Sequence, residues 1–289
     1  MCGCAKVVTS SYKNRKEGID MKLGFIGLGN MAKAMIGGIL KKEVVSATDI
    51  MGCAKSEASK EYASGNWGIL IGEDNIQVAH FAEILVLAVK PQVLPRVVEQ
   101  IKDAVSEDTV IVSIAAGVSM DSLGRMFGRS LKFVRCMPNT PALVGMGCTG
   151  VCCNELVTRD EMQQSLSLLQ SFGLAEEVPE KLMDAVVGVS GSSPAYVFLF
   201  LEALADGAVQ AGMPRAQAYR FAAQSIMGSA ALALETGKHP GELKDMVCSP
   251  GGTTIEAVQV LEDRGFRSSV MHAVSACVER CRALSKDET

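Results

Sequence analysis

Residues 22–40 read KLGFIGLGNMAKAMIGGIL, and the order of the three parts of this stretch decides the fold. KLGFI is an apolar run of strand length, GLGNMA is a glycine turn, and KAMIGGIL is a helix with stepped apolar positions. The turn is G-x-G-x-x-A. Gly27 permits the tight bend, Gly29 lets backbone approach a pyrophosphate, and the small Ala32 allows helix and strand to pack closely. Between a strand and a helix, this pattern marks a dinucleotide-binding βα unit, because backbone N–H groups at a helix start suit a phosphate. The same residues could also serve as a plain packing turn. The rest of the chain has to choose.

Further strands follow at βα spacing. EILVLAV (83–89) and TVIVSIAAG (109–117) are continuous apolar runs, as expected of parallel strands covered on both faces. KFVRCMPNTP (132–141) begins as another strand and ends in a polar loop bracketed by prolines. Ligands of open α/β sheets sit beyond the carboxyl ends of the strands, which predicts a crevice near Lys90, Ala115-Ala116-Gly117 and Asn139-Thr140. Lys90 reads either as a phosphate contact or as a solvated lysine at a strand end. The second strand, DIMGC (49–53), has its carboxylate at the wrong end to bind ribose hydroxyls, and its tip reads Cys53-Ala54-Lys55-Ser56. Nothing acidic there repels a 2′-phosphate, and Lys55 or Ser56 could bind one, so NADPH is expected, with NADH possible.

Composition sets the outer limits. The 289 residues are 48% hydrophobic and 21% charged, enough for a substantial core and two globular domains. A net charge of −4 gives no footprint of a nucleic-acid or membrane surface, and no run reaches about 18 consecutive apolar residues. Residues 1–20 have no apolar h-region and read as a disordered extension before a fold that starts near Met21. Ten cysteines and three histidines complete no metal pattern. Cys53, Cys136, Cys148 and Cys248 sit in apolar contexts, where cysteine packs as a small hydrophobe. Reduced thiols predict a cytoplasmic protein.

Beyond Val178 the chain reads as helices. SSPAYVFLFLEALADGAVQAG and PRAQAYRFAAQSIMGSAALALETG each open near Pro and close at Gly. Both are apolar around most of their circumference, which predicts burial against another subunit. HPGELKDMV, TTIEAVQVLEDRG and a last helix from Phe266 complete the set. Into this region falls CSPGGTTI (248–255), where Thr253 and Glu256 fit a T-x-x-E capping box. Gly251 and Gly252 leave backbone N–H groups approachable, as a carboxylate or phosphate would need.

The chemistry that is missing also informs. The three histidines are not placed as an obvious base. The glycine turn also resembles β-hydroxyacid dehydrogenases, in which a helix lysine after a glycine-rich turn assists deprotonation. The equivalent turn here is GVSGSSPAY (188–196), and no lysine lies between Lys181 and Lys238. Hydride delivery to an existing C=N bond fits better than alcohol oxidation. A nucleotide-sensing binding protein is the alternative of another class, and a degraded GGTT loop would have pointed to it.

Taken in order over 21–286, FIGLGNMA, LAVKPQ, SIAAGV, RCMPNTPA, VSGSSPAYVF, MPRAQAY and HPGELKDMVCSPGGTTIEA resemble the pyrroline-5-carboxylate reductases. The resemblance implies NAD(P)H-dependent reduction of 1-pyrroline-5-carboxylate to L-proline, the last step of proline synthesis. It implies an α/β Rossmann-type doubly wound sheet (21–184) and an all-α dimerisation and substrate-binding domain (185–289). It also implies active sites between subunits, in dimers that commonly build decamers. By resemblance Ile26, Gly27, Leu28, Gly29, Asn30 and Met31 contact the nucleotide, with Asn75, Ala88, Val89, Lys90, Pro91, Ala115, Ala116 and Gly117. Ala54 stands where the family often has a hydroxyl near the adenosine phosphate. Glu180 matches an acid near both ligands, and the loop with Ser249, Gly252, Thr253 and Thr254 matches the one that receives the substrate carboxylate. Holding that carboxylate orients the imine, and Thr254 is the candidate hydroxyl donor to its nitrogen.

Overall fold

A computed structural model describes residues 21–287; the extension expected over 1–20 lies outside the described residues. Eight strands form one sheet: β1 (Leu23–Ile26), β2 (Ile50–Cys53), β3 (Leu70–Ile71), β4 (Ile84–Leu87), β5 (Val110–Ser113), β6 (Lys132–Met137), β7 (Gly147–Cys153) and β8 (Gly173–Glu177). Their order is β3-β2-β1-β4-β5-β6-β7-β8, and every pair is parallel except β6 with β7. Helices α1 (Asn30–Lys41), α2 (Glu57–Trp67), α3 (Asn75–Phe81), α4 (Leu94–Ile101), α5 (Met120–Phe127) and α6 (Arg159–Leu169) cross between strands. The chain winds outward from β1 to β3, then returns to β4 and winds the other way. The order therefore reverses between β1 and β4, where a doubly wound sheet opens its ligand crevice.

The continuous apolar runs are explained by burial on both faces. Along β4, Ile84 and Val86 enter one core with Phe25, Met35, Ile36 and Phe172, while Leu85 and Leu87 enter the other with Leu94, Val98, Ile101 and Phe127. The strands are shorter than the runs suggested, because residues 88–89 and 114–117 already belong to the loops that shape the crevice.

After β8 the chain is helical: α7 (Met183–Val186), a π-helical turn (Val187–Gly191), α8 (Ser193–Gln210), α9 (Arg215–Thr236), α10 (Pro240–Val247), α11 (Thr253–Asp263) and α12 (Phe266–Asp287). Helices α8 and α9 form an antiparallel pair, and α12 crosses the π turn, where Gly188 lets Val274 and Val278 approach its backbone. Ala205 is the one buried residue of α8, and α9 buries Ala218 and Ala222. Their large side chains face outward: Phe198 is 63% exposed and Leu234 82%. Glu180–Gln210 is long and apolar enough to cross a membrane by length and composition, with Glu202 and Asp206 interrupting its apolar stretch. Of the four cysteines expected to be buried, Cys53 and Cys136 are, whereas Cys148 and Cys248 are only half-buried.

Candidate active site

The site begins where β1 ends. The register sets Ile26 between Cys53 of β2 and Leu87 of β4, and Leu87 beside Ser113 of β5, so four strand ends finish in one row. Gly27 follows with φ +98°, and its N–H donates to the Cys53 carbonyl at 2.8 Å. A Cβ at Gly27 would lie 2.5 Å from the Ala88 carbonyl oxygen, so the protein itself requires glycine there. Gly29 is different. Its backbone (φ −76°, ψ −174°) suits any residue, and a Cβ there would meet nothing within 4 Å. The missing side chain leaves open space above the start of α1, whose first turn has neither a side-chain cap nor an acid. The unneutralised N–H groups there are a place for an anion. The chain's geometry thus fits a dinucleotide's pyrophosphate.

A cleft of about 670 Å³ opens beside this turn, and of the residues expected to contact a nucleotide, Ile26, Gly27, Ala54, Lys55, Asn75 and Val89 are in its lining. Other expected contacts stand outside its lining. The Leu28 side chain is buried in the core, so it could meet a nucleotide through backbone only, and the half-buried Met31 packs against that core. Ala88 donates its N–H to Ile26, Lys90 caps the 3₁₀ turn opened by Pro91, and Ala115 is buried ahead of the bend at Gly117 (φ +80°). These residues shape the strand-end loops, while Asn30, Lys90 and Ala116 are exposed at their tips. Asn139, expected at the crevice, is instead a buried tie. Its amide donates to the Ser190 carbonyl at 2.9 Å and accepts from the Cys148 N–H at 2.8 Å.

Four polar lining residues escaped the sequence reading: Asp74, Gln92, Arg96 and Gln100. The signal was available for α4, which buries Leu94, Val97, Val98 and Ile101 and so turns Arg96 and Gln100 together to another face. Gln100 accepts a hydrogen bond from Asn75 at 2.8 Å, and Asp74 caps α3 by accepting from the Gln77 N–H at 2.8 Å.

Glu180 opens a 3₁₀ turn and is held at the start of α5, where its Oε1 accepts from the Met120 N–H and from Arg135 Nη1, both at 2.9 Å. This places the carboxylate on the strand-end side of the sheet, past the loop of Ala115 to Gly117. The Arg135 side chain is only 9% exposed, and a cation that deep needs a carboxylate partner. Its position inside the strand KFVRCM was the overlooked sign.

The loop before α11 corrects two expectations. The N-cap is Gly252 (φ −81°, ψ 167°), no side chain caps the helix, and Thr253 is already its first residue, so the Thr253–Glu256 capping box does not form. The Gly252 N–H is not open either: it donates to the Ser249 carbonyl at 3.0 Å, and the Ser249 hydroxyl fills the space a Cβ at 252 would need. Gly251, at φ +66°, is required by the bend. The free donors therefore begin at the Thr253 and Thr254 N–H groups. Ser249, Gly251 and Thr253 are exposed and Thr254 is half-buried. Among the described residues no hydrogen bond or ion pair links this loop to Glu180 or to the cleft-lining residues.

Two cysteines close enough to feel the Arg135 charge are held in the thiol form. Burial pushes the Cys152 thiol up to about 12, and burial followed by the Asp184 contact pushes Cys281 up to about 11.

Residues 180–284 match the model of the pyrroline-5-carboxylate reductase dimerisation family, and residues 22–117 match that of the coenzyme F420-dependent NADP oxidoreductases. The chain is 50% identical to pyrroline-5-carboxylate reductase of Escherichia coli over 268 residues, covering 93% of this chain and all of that one. It is 43% identical to the Synechocystis enzyme of the same name, again over 93% of this chain and all of that one. Among solved structures, the pyrroline-5-carboxylate reductase of Coxiella burnetii superposes with a TM-score of 0.87 at 35% identity, covering 91% of this chain and 98% of that one. The Plasmodium falciparum pyrroline carboxylate reductase, solved with NADP bound, gives 0.84 at 32% identity, over 93% of this chain and all of that one. With a glycine turn open to a phosphate, a doubly wound sheet and a helical half matching the dimerisation model, the chain belongs to the pyrroline-5-carboxylate reductase family.

Proposed function

We propose that this chain reduces 1-pyrroline-5-carboxylate to L-proline with NAD(P)H. The observation that carries the reading is the open backbone at Gly29 beside the 670 Å³ cleft, in a chain aligned over the full length of reductases of that name. The β-hydroxyacid dehydrogenase reading lacks its lysine, since none lies between Lys181 and Lys238.

The bound nicotinamide supplies the hydride for the imine carbon. The protein's share is placement. Gly27 and Gly29 seat the pyrophosphate at the start of α1, and Ala54, Lys55 and Asn75 line the adenosine side. The first-turn N–H groups at Thr253 and Thr254 receive the substrate carboxylate, which turns the ring's C=N toward the cleft. As the imine nitrogen gains electron density, the Thr254 hydroxyl hydrogen-bonds to it, while the proton that completes the amine is carried in by the iminium form of the substrate or comes from water. Glu180, fixed by Arg135 and Met120, closes the side between cofactor and substrate.

The helical half works as an interface. Phe198, Leu199, Phe221 and Leu234 are exposed on α8 and α9 of the single chain. A second copy covers these faces, as the match to a dimerisation family supports, and brings its 249–254 loop to the neighbouring cleft. On this reading the apolar segment Glu180–Gln210 lies in a subunit interface of a cytoplasmic homo-oligomer, a dimer or a decamer of dimers, and the functional boundary falls at 184/185. The test is a steady-state assay of the purified protein with 1-pyrroline-5-carboxylate, with NADPH and NADH in parallel. Turnover with either cofactor supports the reading. A protein that binds NADPH without turning over this substrate overturns it.

A further inference from the structure

We propose that Arg96, on α4, is the residue that reads the 2′-phosphate of NADPH, from the cleft whose lining it shares with Ala54 and Lys55. The inference rests on the cofactor site proposed above. In this chain the tip of β2 carries Ala54, whose methyl group can donate nothing to a phosphate, so the donors have to be the cations of the cleft. Two cations line it, Lys55 and Arg96, and neither has an ion-pair or hydrogen-bond partner among the described residues. Lys60 and Lys102, by contrast, are each paired with a glutamate three residues earlier, Glu57 and Glu99. The one acid in the lining, Asp74, spends a carboxylate oxygen on the Gln77 N–H as the α3 cap.

The position of Arg96 is fixed by its helix. Because Leu94, Val97, Val98 and Ile101 are buried, α4 cannot rotate, and Arg96 shares a face with Gln100 one turn later. Gln100 is itself tied to Asn75 at 2.8 Å, so α4 is joined to the start of α3 beside the adenosine end of the cleft. A guanidinium there offers a planar fork of donors that fits phosphate oxygens two at a time, which a lysine cannot do.

The test separates phosphate from adenine and needs no turnover. Titrate the parent protein, Arg96→Ala and Arg96→Lys with 2′,5′-ADP and with 5′-AMP by calorimetry, with a thermal melt to confirm folding. The parent should prefer 2′,5′-ADP. Arg96→Ala should weaken 2′,5′-ADP by about tenfold, the scale for one charge-assisted contact, while changing 5′-AMP by less than about twofold. Arg96→Lys should recover only part of the loss. An equal loss for both ligands would mean that Arg96 stacks on the adenine, and no loss for either would make it a solvated arginine; each result overturns the proposal. If the parent binds neither nucleotide nor NADPH, the cofactor site itself is misplaced, a failure distinct from that of Arg96 alone.

Discussion

Gly27 and Gly29 belong to one turn, yet their replacement should fail in opposite ways. Gly29→Val adds a branched side chain where a Cβ meets nothing within 4 Å, on a backbone that any residue adopts. The cost to folding is that of a poorer N-cap, at most about 1 kcal/mol. The same side chain occupies the space over the α1 N-terminus. If it breaks two charge-assisted N–H contacts to the pyrophosphate at about 1.5 kcal/mol each, NADPH binding falls by about 3 kcal/mol, or more than 10²-fold. Gly27→Ala puts a Cβ 2.5 Å from the Ala88 carbonyl oxygen at φ +98° and should cost stability first, by about 1–3 kcal/mol or more. Thermal melts and NADPH fluorescence titrations of both variants separate the two effects. A folded Gly29→Val protein with parental NADPH affinity would refute the assignment of this turn to the pyrophosphate.

The other expectations follow the same geometry. Lys55→Glu places a carboxylate in the cleft and should flatten or reverse a preference for NADPH in kcat/KM; an unchanged ratio would leave Lys55 a solvated lysine. Phe198→Asp, at a side chain 63% exposed in the single chain, should give smaller, inactive species by light scattering, because a buried interface tolerates no unpaired charge; an active monomeric parent would contradict the interfacial site. Thr254→Ala should lower kcat by about 10²-fold, the scale for one transition-state donor, with NADPH affinity unchanged. Thr253→Ala should barely change the melting temperature, because no side chain caps α11, whereas a loss of about 1 kcal/mol would show a cap after all.

The sheet was legible because the physics that forms it is local. KLGFI, EILVLAV and TVIVSIAAG carry the unbroken apolar runs of strands buried on both faces, and Gly27 and Gly29 occur where a strand must turn into a helix. The strands β3, β7 and β8 were missed. β3 has only two residues, and GCTGVCC and GLAEE owe their strand form to pairing with neighbours distant in sequence rather than to any period of their own. The site was half legible. Residues at strand ends could be placed from connectivity, but the wall made by Arg96 and Gln100 required knowing which face of α4 is buried. The Thr253 capping box failed because T-x-x-E fixes no register: Gly252, unable to donate a side chain, took the cap one residue earlier. Arg135 was readable in principle, since a cation in a buried strand must have a carboxylate, and Glu180 is that partner.

The central step is hydride transfer from the cofactor to the ring carbon of a substrate whose carboxylate is held at the start of α11. NADPH carrying deuterium at the transferable position of its nicotinamide, incubated with the protein and 1-pyrroline-5-carboxylate, tests it directly by mass spectrometry of the product. The expected product is L-proline with one deuterium on the former imine carbon. Proline without the label, or NADPH consumed with no proline formed, would contradict it.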